Sequence, residues 1–301
     1  MKRISKLVLL AVLVFTVTVF MAVPVMAASK GKLVKEYKCK SYTLKDGAWK
    51  SYHSSKTSYK YNKKGDPIKI TEKVGKASTS TKYKYTYKKG KKTKAKFSGW
   101  TMKYKKGVPV SKSFRDGDGN GRIFDYKFKS RYATFVRFVD IMESDEEGDH
   151  DTTLYNFKVT TKKGYPVKIS RTDEGFPIEM KFYTTGAKKG LVKEVVYDDS
   201  RIWSEVEVDK RVFKYSYKIK KGQVVKAVRK CTATYGHTPL LEGYTYSEEG
   251  MEVTKYKSEF TFKYTKKMAD KKRCAAMIND IVANTGEFDP YGRPVLTTYW
   301  Y

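Results

Sequence analysis

Apolar rings and polar side chains alternate along this chain with a period of two, and that alternation restricts most of it to β-strands. In Tyr83-Lys84-Tyr85-Thr86-Tyr87-Lys88 the rings share one face of an extended segment, and the lysines and threonine share the other. The repeating unit is an aromatic-x-aromatic strand, a Lys/Gly turn and a second, aliphatic strand. Its clearest copy is Tyr59-Lys60-Tyr61, then Gly65, then Pro67-Ile68-Lys69-Ile70. Further copies begin at Met102-Lys103-Tyr104, Tyr155-Asn156-Phe157, Phe213-Lys214-Tyr215, Tyr244-Thr245-Tyr246 and Phe260-Thr261-Phe262. Glycines 65, 90, 107, 164, 190, 222 and 250 supply the positive φ that hairpin turns need. Pro67, Pro109 and Pro166 follow those glycines, at strand starts where a missing N–H is tolerated.

Hairpin after hairpin without intervening helices predicts a mainly β fold, an antiparallel meander. One face is aromatic and the other is Lys/Thr, so the sheet must curl, close or stack to bury its rings. With 25 Tyr, 15 Phe and 4 Trp, the chain has ample material for such a core and is not a disordered polyelectrolyte. One helix is predicted over 266–284, where Met268, Cys274, Met277, Ile278, Ile281 and Val282 recur at helical spacing. Thr265 is placed to cap its start and Gly286 to end it. This helix is expected on the sheet or plugging an open end, with Cys274 toward the core. Residues 291–301 read as a final strand.

Lys2, Arg3 and Lys6 precede an apolar run from Leu7 to Phe20, followed by Pro24 and by Val25 and Ala27 at the −3 and −1 positions of a cleavage site. Residues 1–27 therefore read as a signal peptide cut after Ala27. Left uncut, the same run is long enough to anchor the chain in a membrane. The first cysteine is Cys39, so the cleavage site is not that of a lipoprotein. The exported part, 28–301, is expected to be one repeat-like domain with a sub-boundary near 143–151. Cys39, Cys231 and Cys274 are an odd number, so at most one pair can form a disulfide; all three read most simply as small buried residues.

Charge is concentrated. The whole chain carries a net +31, and residues 28–112 hold 26 Lys, no Arg and only Glu36, Asp46, Asp66 and Glu72 as acids. A field of this size attracts polyanions. Lysine suits diffuse, salt-sensitive attraction, and the absence of Arg argues against sequence-specific reading of nucleic acid. The candidate basic patch is Lys60, Lys63, Lys64, Lys82, Lys84, Lys88, Lys89, Lys91 and Lys92. Trp49, Tyr52 and Trp100 in the same third offer stacking surfaces for glycans, and tyrosine serves half-buried sheets equally well.

Asp116-Gly-Asp118-Gly-Asn120-Gly121 has the oxygen ligands and the turn glycine of a calcium loop, with Asp125 as a substitute for the absent Glu at the twelfth position, which is Lys127. The same residues also read as a hairpin tip between two strands. Glu143 to Asp151 holds six carboxylates in nine residues and reads as a solvated loop or a second cation site. His53, His150 and His237 have no metal-ligand spacing, and no nucleophile elbow or phosphate loop is present. The chain is therefore expected to be non-catalytic and to need no cofactor, calcium aside. Cys231 with His237 is the one pair that a fold would have to bring together to revive an enzyme.

Tyr61-Asn62-x-x-Gly65 and Phe288-Asp289-Pro290-Tyr291-Gly292-Arg293 resemble the turns of YD/Rhs-type repeat hairpins of secreted bacterial surface proteins. The resemblance implies a secreted β-sheet shell. Most other copies lack the Asp or Asn after the aromatic residue. Together these features predict a secreted or extracellular protein held at the cell envelope. Its Lys-rich third would bind an anionic wall polymer or surface glycan. A lipid-carrying shell with an aromatic lining and a structural or adhesin subunit are the alternatives.

Overall fold

The structure is a computed structural model that describes residues 30–116, 120–129, 132–141, 150–171, 178–198, 201–202, 205–239 and 252–283. The signal segment, Asp118, the acidic residues 143–149, Gly250 and the proposed final strand lie outside the described residues.

The fold is the expected antiparallel meander, and it curls almost fully into a barrel. β1 (Lys30–Lys45), β2 (Ala48–Tyr61), β3 (Pro67–Val74) and β4 (Ala77–Lys82) pair in sequence. β5 (Lys84–Lys88), β6 (Lys91–Phe97), β7 (Trp100–Lys105), β8 (Val108–Arg115), β9 (Gly121–Lys129) and β10 (Tyr132–Ile141) do the same. β11 (His150–Lys162) ladders to β10 with its first half and to β12 (Tyr165–Arg171) with its second. β13 (Ile178–Phe182) and β14 (Val192–Asp198) follow, and both β14 and the short β15 (Arg201–Ile202) pair with β16 (Glu205–Lys220). β17 (Gln223–Pro239) and β18 (Glu252–Asp270) complete the run, and β18 returns to pair antiparallel with β1.

The eighteen segments behave as sixteen strands, because β4 continues into β5 through Tyr83 alone and β14 and β15 share one edge of β16. An even number is what an antiparallel meander needs for its last strand to meet its first. The seam is at 77–88, where β4 has only β3 beside it and β5 has only β6.

Turn chemistry sets the registers. Asp46-Gly47, Lys89-Gly90, Ser98-Gly99, Lys106-Gly107, Lys163-Gly164 and Lys221-Gly222 all have positive φ at both residues, so each is a tight two-residue turn whose twist matches the flanking strands. Rings point inward as the alternation requires. Tyr37, Tyr59, Tyr83, Phe97, Trp100, Phe124, Phe138, Phe157, Tyr215 and Phe260 are buried in one continuous core. The outer face carries Lys, Ser and Thr over β2 to β7 and Lys–Glu and Lys–Asp pairs on the opposite wall, with Leu154 and Val253 also exposed. No described helix is long and apolar enough to cross a membrane.

The helix, α1 (Lys271–Ala283), packs on β1, β14, β17 and β18 and closes off one end of the interior. It starts later than periodicity predicts. Residues 266–270 belong to β18, with Met268 opposite Lys32 and Asp270 opposite Lys30. The β1 edge offers those residues a ladder, and Asp270 rather than Thr265 is the cap, its carboxylate accepting the Arg273 N–H at 2.9 Å. Thr265 instead accepts the Lys267 N–H at 2.7 Å, next to a shift in register. Asn279 is fully buried and ties the helix to the sheet. Its carbonyl accepts the Val192 N–H and its amide donates to Gly190 O, both at 2.8 Å.

Candidate functional site

The fold gathers the lysines of the first third onto one wall. Residues directly opposite in an antiparallel pair have Cβ atoms ~5 Å apart. On the outside, Lys60 faces Lys69 and Lys69 faces Lys82, a row of three across β2, β3 and β4. Lys84 faces Lys96, and Lys94 faces Lys103. Like charges set opposite one another oppose folding, so this arrangement is not one that stability alone favours. At the end of the same wall, Lys63 and Lys64 on one turn meet Lys88, Lys89 and Lys91 around the next, and the Lys64 ammonium donates to Gly90 O at 3.3 Å.

The four acids counted in this region do not neutralise that wall. Asp66 is buried inside, and Glu72 shares the inner face with its opposite neighbour Thr57. Burial pushes the Glu72 carboxyl above its usual range. Glu36 is held by Lys56 at 2.8 Å, which keeps its carboxyl below the ordinary range, with Lys263 at 3.7 Å. Asp46 pairs with Lys50 at 3.0 Å within its own turn. No acid among the described residues therefore lies on the outer face of β2 to β7. The opposite wall differs: there Lys181 meets Glu194 at 3.2 Å, Lys226 meets Glu259 at 3.1 Å, Lys210 meets Asp198 at 3.3 Å and Lys168 pairs with Glu179.

Lys92 is a correction to the expected patch. Thr86 is opposite Lys94 but Tyr87 is opposite Lys92, so Thr93 is a one-residue bulge. A bulge inverts the inside/outside parity. Lys92 consequently points inward, 4% exposed, with its ammonium 2.9 Å from Asp66. Lys112 is a second inward lysine. It lies opposite Met102 and Phe124, past a register shift after Lys103, with its ammonium 3.9 Å from the centre of the Trp100 ring. Desolvation first, then the Arg122 charge, lowers its pKa to about 7. Trp100 is itself buried against Phe114 and Phe124, so it offers no outer stacking surface; Trp49 is 37% exposed, and Tyr52, 63% exposed, lines the mouth of a cavity with Arg229.

Of the calcium residues, Asp116 donates its N–H to Asn120 O at 2.9 Å and so closes a hairpin tip. Asp125 is not turned to that tip. It lies on β9 and accepts the Arg137 Nε–H at 2.9 Å from β10. Cys39 and Cys231 are buried and Cys274 is half-buried, and none is in a disulfide. The His237 side chain lies outside the described residues.

No protein-family profile matches the sequence, and no curated protein sequence does. Among solved structures, the chain is similar to a porin-like protein from Bacteroides uniformis, at 12% identity and a TM-score of 0.45, over 76% of this chain and 96% of that one.

Proposed function

We propose that this is an exported, non-catalytic protein of the cell envelope that binds an anionic wall polymer or surface glycan on the outer face of β2 to β7. The observation that carries this reading is the set of acid-free lysine rows Lys60/Lys69/Lys82, Lys84/Lys96 and Lys94/Lys103. A polyanion lying across them relieves their mutual repulsion, so binding and folding support one another. Lysine rather than arginine suits repeated, weakly selective contacts along a flexible polymer. Asp116, Asp118 and Asn120 remain a candidate calcium tip, with Asp125 removed from the ligand set by its pairing to Arg137.

Two alternatives are less well supported. A lipid shell needs room, and among the described residues rings and α1 pack the interior, where two cavities measure about 290 and 360 Å³. An adhesin subunit of the donor-strand kind needs a bare edge near a terminus; β1 is paired on both sides from Glu36 to Thr43, and Lys30 to Lys35, which pair with β18 alone, are a short stretch with α1 packed beside Gly31.

The test is co-sedimentation with purified bacterial cell walls, intact or stripped of their phosphate-bearing polymers. Binding to intact walls at low salt, lost on stripping, supports the reading. Equal binding to stripped walls, or none at low salt, contradicts it.

A further inference from the structure

We infer that the cavity of about 290 Å³ at the end of the barrel away from α1 is a binding site for a small organic anion, with Arg229 holding its charged group. The site opens at the rim of the barrel, where Tyr52, 63% exposed, also lines it, and it is separate from the outer lysine rows. Arg229 lies on β17 between Tyr215 of β16 and Ser258 of β18, and its inward neighbours on the same strand are Ala227 and Cys231, 1% and 7% exposed. Its guanidinium is half-buried, so a charged partner there is worth more than it would be in open water. Arg229 has five N–H donors to place. Its one hydrogen bond among the described residues is a long one, from Nη2 to Ser258 Oγ at 3.4 Å. No carboxylate among the described residues lies within 4.0 Å of it. The Phe213 and Phe260 rings lie 5.8 and 5.9 Å from its central carbon and hold it in place.

The cavity opens beside this group. Phe213, Tyr235 and Tyr256 give it flat apolar walls, and Ser258 continues a polar strip to Ser41 at 3.1 Å. Arg211, also lining the cavity, stands over the Tyr235 ring at 5.5 Å. A fork of donors on one side and rings on the other fits a carboxylate, sulfonate or phosphate attached to a flat body.

Calorimetry with 2-naphthoate and its neutral isostere 2-naphthamide tests this on the mature chain. The unmodified protein is expected to bind one naphthoate per chain and to prefer it to the amide by about tenfold or more, the value of one charge-assisted pair. Arg229→Gln is expected to abolish the preference and Arg229→Lys to restore part of it. A variant with Lys60, Lys69, Lys82, Lys84 and Lys96 all changed to Gln is expected to keep it. Equal binding of the two compounds, or no binding of either, overturns the inference without any variant. A preference that survives Arg229→Gln, or disappears in the five-lysine variant, overturns it as well.

Discussion

The Lys92 ammonium and the Asp66 carboxylate lie 2.9 Å apart with side chains only 2% and 3% exposed, and they join parts of the chain that sequence keeps separate. Asp66 closes the turn between β2 and β3, and Lys92 comes from β6 beside the seam. The Tyr87 hydroxyl donates to the second carboxylate oxygen at 2.6 Å. Arg273 of α1 reaches Asp66 at 3.6 Å and donates to Gly65 O at 2.7 Å. The cluster thus fastens the turn, the seam and the helix at one end of the barrel.

Removing Asp66 alone leaves two buried cations facing each other. Asp66→Asn is expected to destabilise the fold by ~3–5 kcal/mol, and adding Lys92→Met is expected to recover part of the loss. Urea unfolding of the two variants measures both. A single variant within ~1 kcal/mol of the parent would contradict the assignment of a fastening role.

Lys112 predicts a pH dependence. Its folded pKa of about 7 is below the ordinary lysine value of 10.5, so between these pH values the unfolded chain binds more protons than the folded one. Stability contributed at this position therefore rises as pH rises through about 7 toward 10.5, and the penalty is fully present below pH 7. Lys112→Met is expected to flatten the rise between pH 6 and 8.5 and to raise stability most at pH 6. Thermal unfolding across that window checks it.

The central lysine of the three-residue row gives an opposed pair of effects. Lys69→Glu places a carboxylate between Lys60 and Lys82. It is expected to stabilise the protein at low salt by ~0.2–1 kcal/mol per pair relieved, while weakening wall binding. Chemical unfolding and co-sedimentation of the same sample read the two together. Weakened binding with lost stability would indicate disrupted folding instead.

Turn strain is also measurable. Lys221 has φ of 49° and Gly222 has φ of 72°, and nothing lies within 4 Å of a Cβ placed on Gly222. Gly222→Ala is expected to cost ~1–2 kcal/mol through backbone conformation alone, and Lys221→Asn to stabilise. Hydrogen exchange at the β16–β17 ladder would report both locally.

Much of the fold was legible because its code is local. Alternation named the strands, Lys-Gly and its relatives named the turns, and Pro67 opened β3 as expected. The calcium-like tip was also readable as a hairpin. What was not legible depends on single extra residues or on distant partners. The bulge at Thr93 leaves no mark in composition, yet it moves Lys92 from the outer wall to the core. The shift before Lys112 does the same. The last turn of β18 looked helical because Met268 fits a helical stripe, and only the β1 edge shows why it is extended. Nothing in the sequence singles out Arg229; its place on the inner face follows from the buried Ala227 and Cys231 on either side of it in β17. The depletion of acid from the outer face was half visible: the count of four was there, but the inward turn of Asp66 and Glu72 was not.

The measurement that bears most directly on the central claim is binding to a purified anionic wall polymer as salt is raised from low to physiological strength. It compares the unmodified protein with two variants of equal charge change. One carries glutamine at Lys60, Lys69, Lys82, Lys84 and Lys96, and the other carries it at the ion-paired Lys168, Lys181, Lys210, Lys226 and Lys263. The account predicts steep loss of binding with salt for the parent and the second variant, and weak binding with a shallow dependence for the first. Indistinguishable curves for the two variants would show that net charge, not the lysine wall of β2 to β7, governs the interaction.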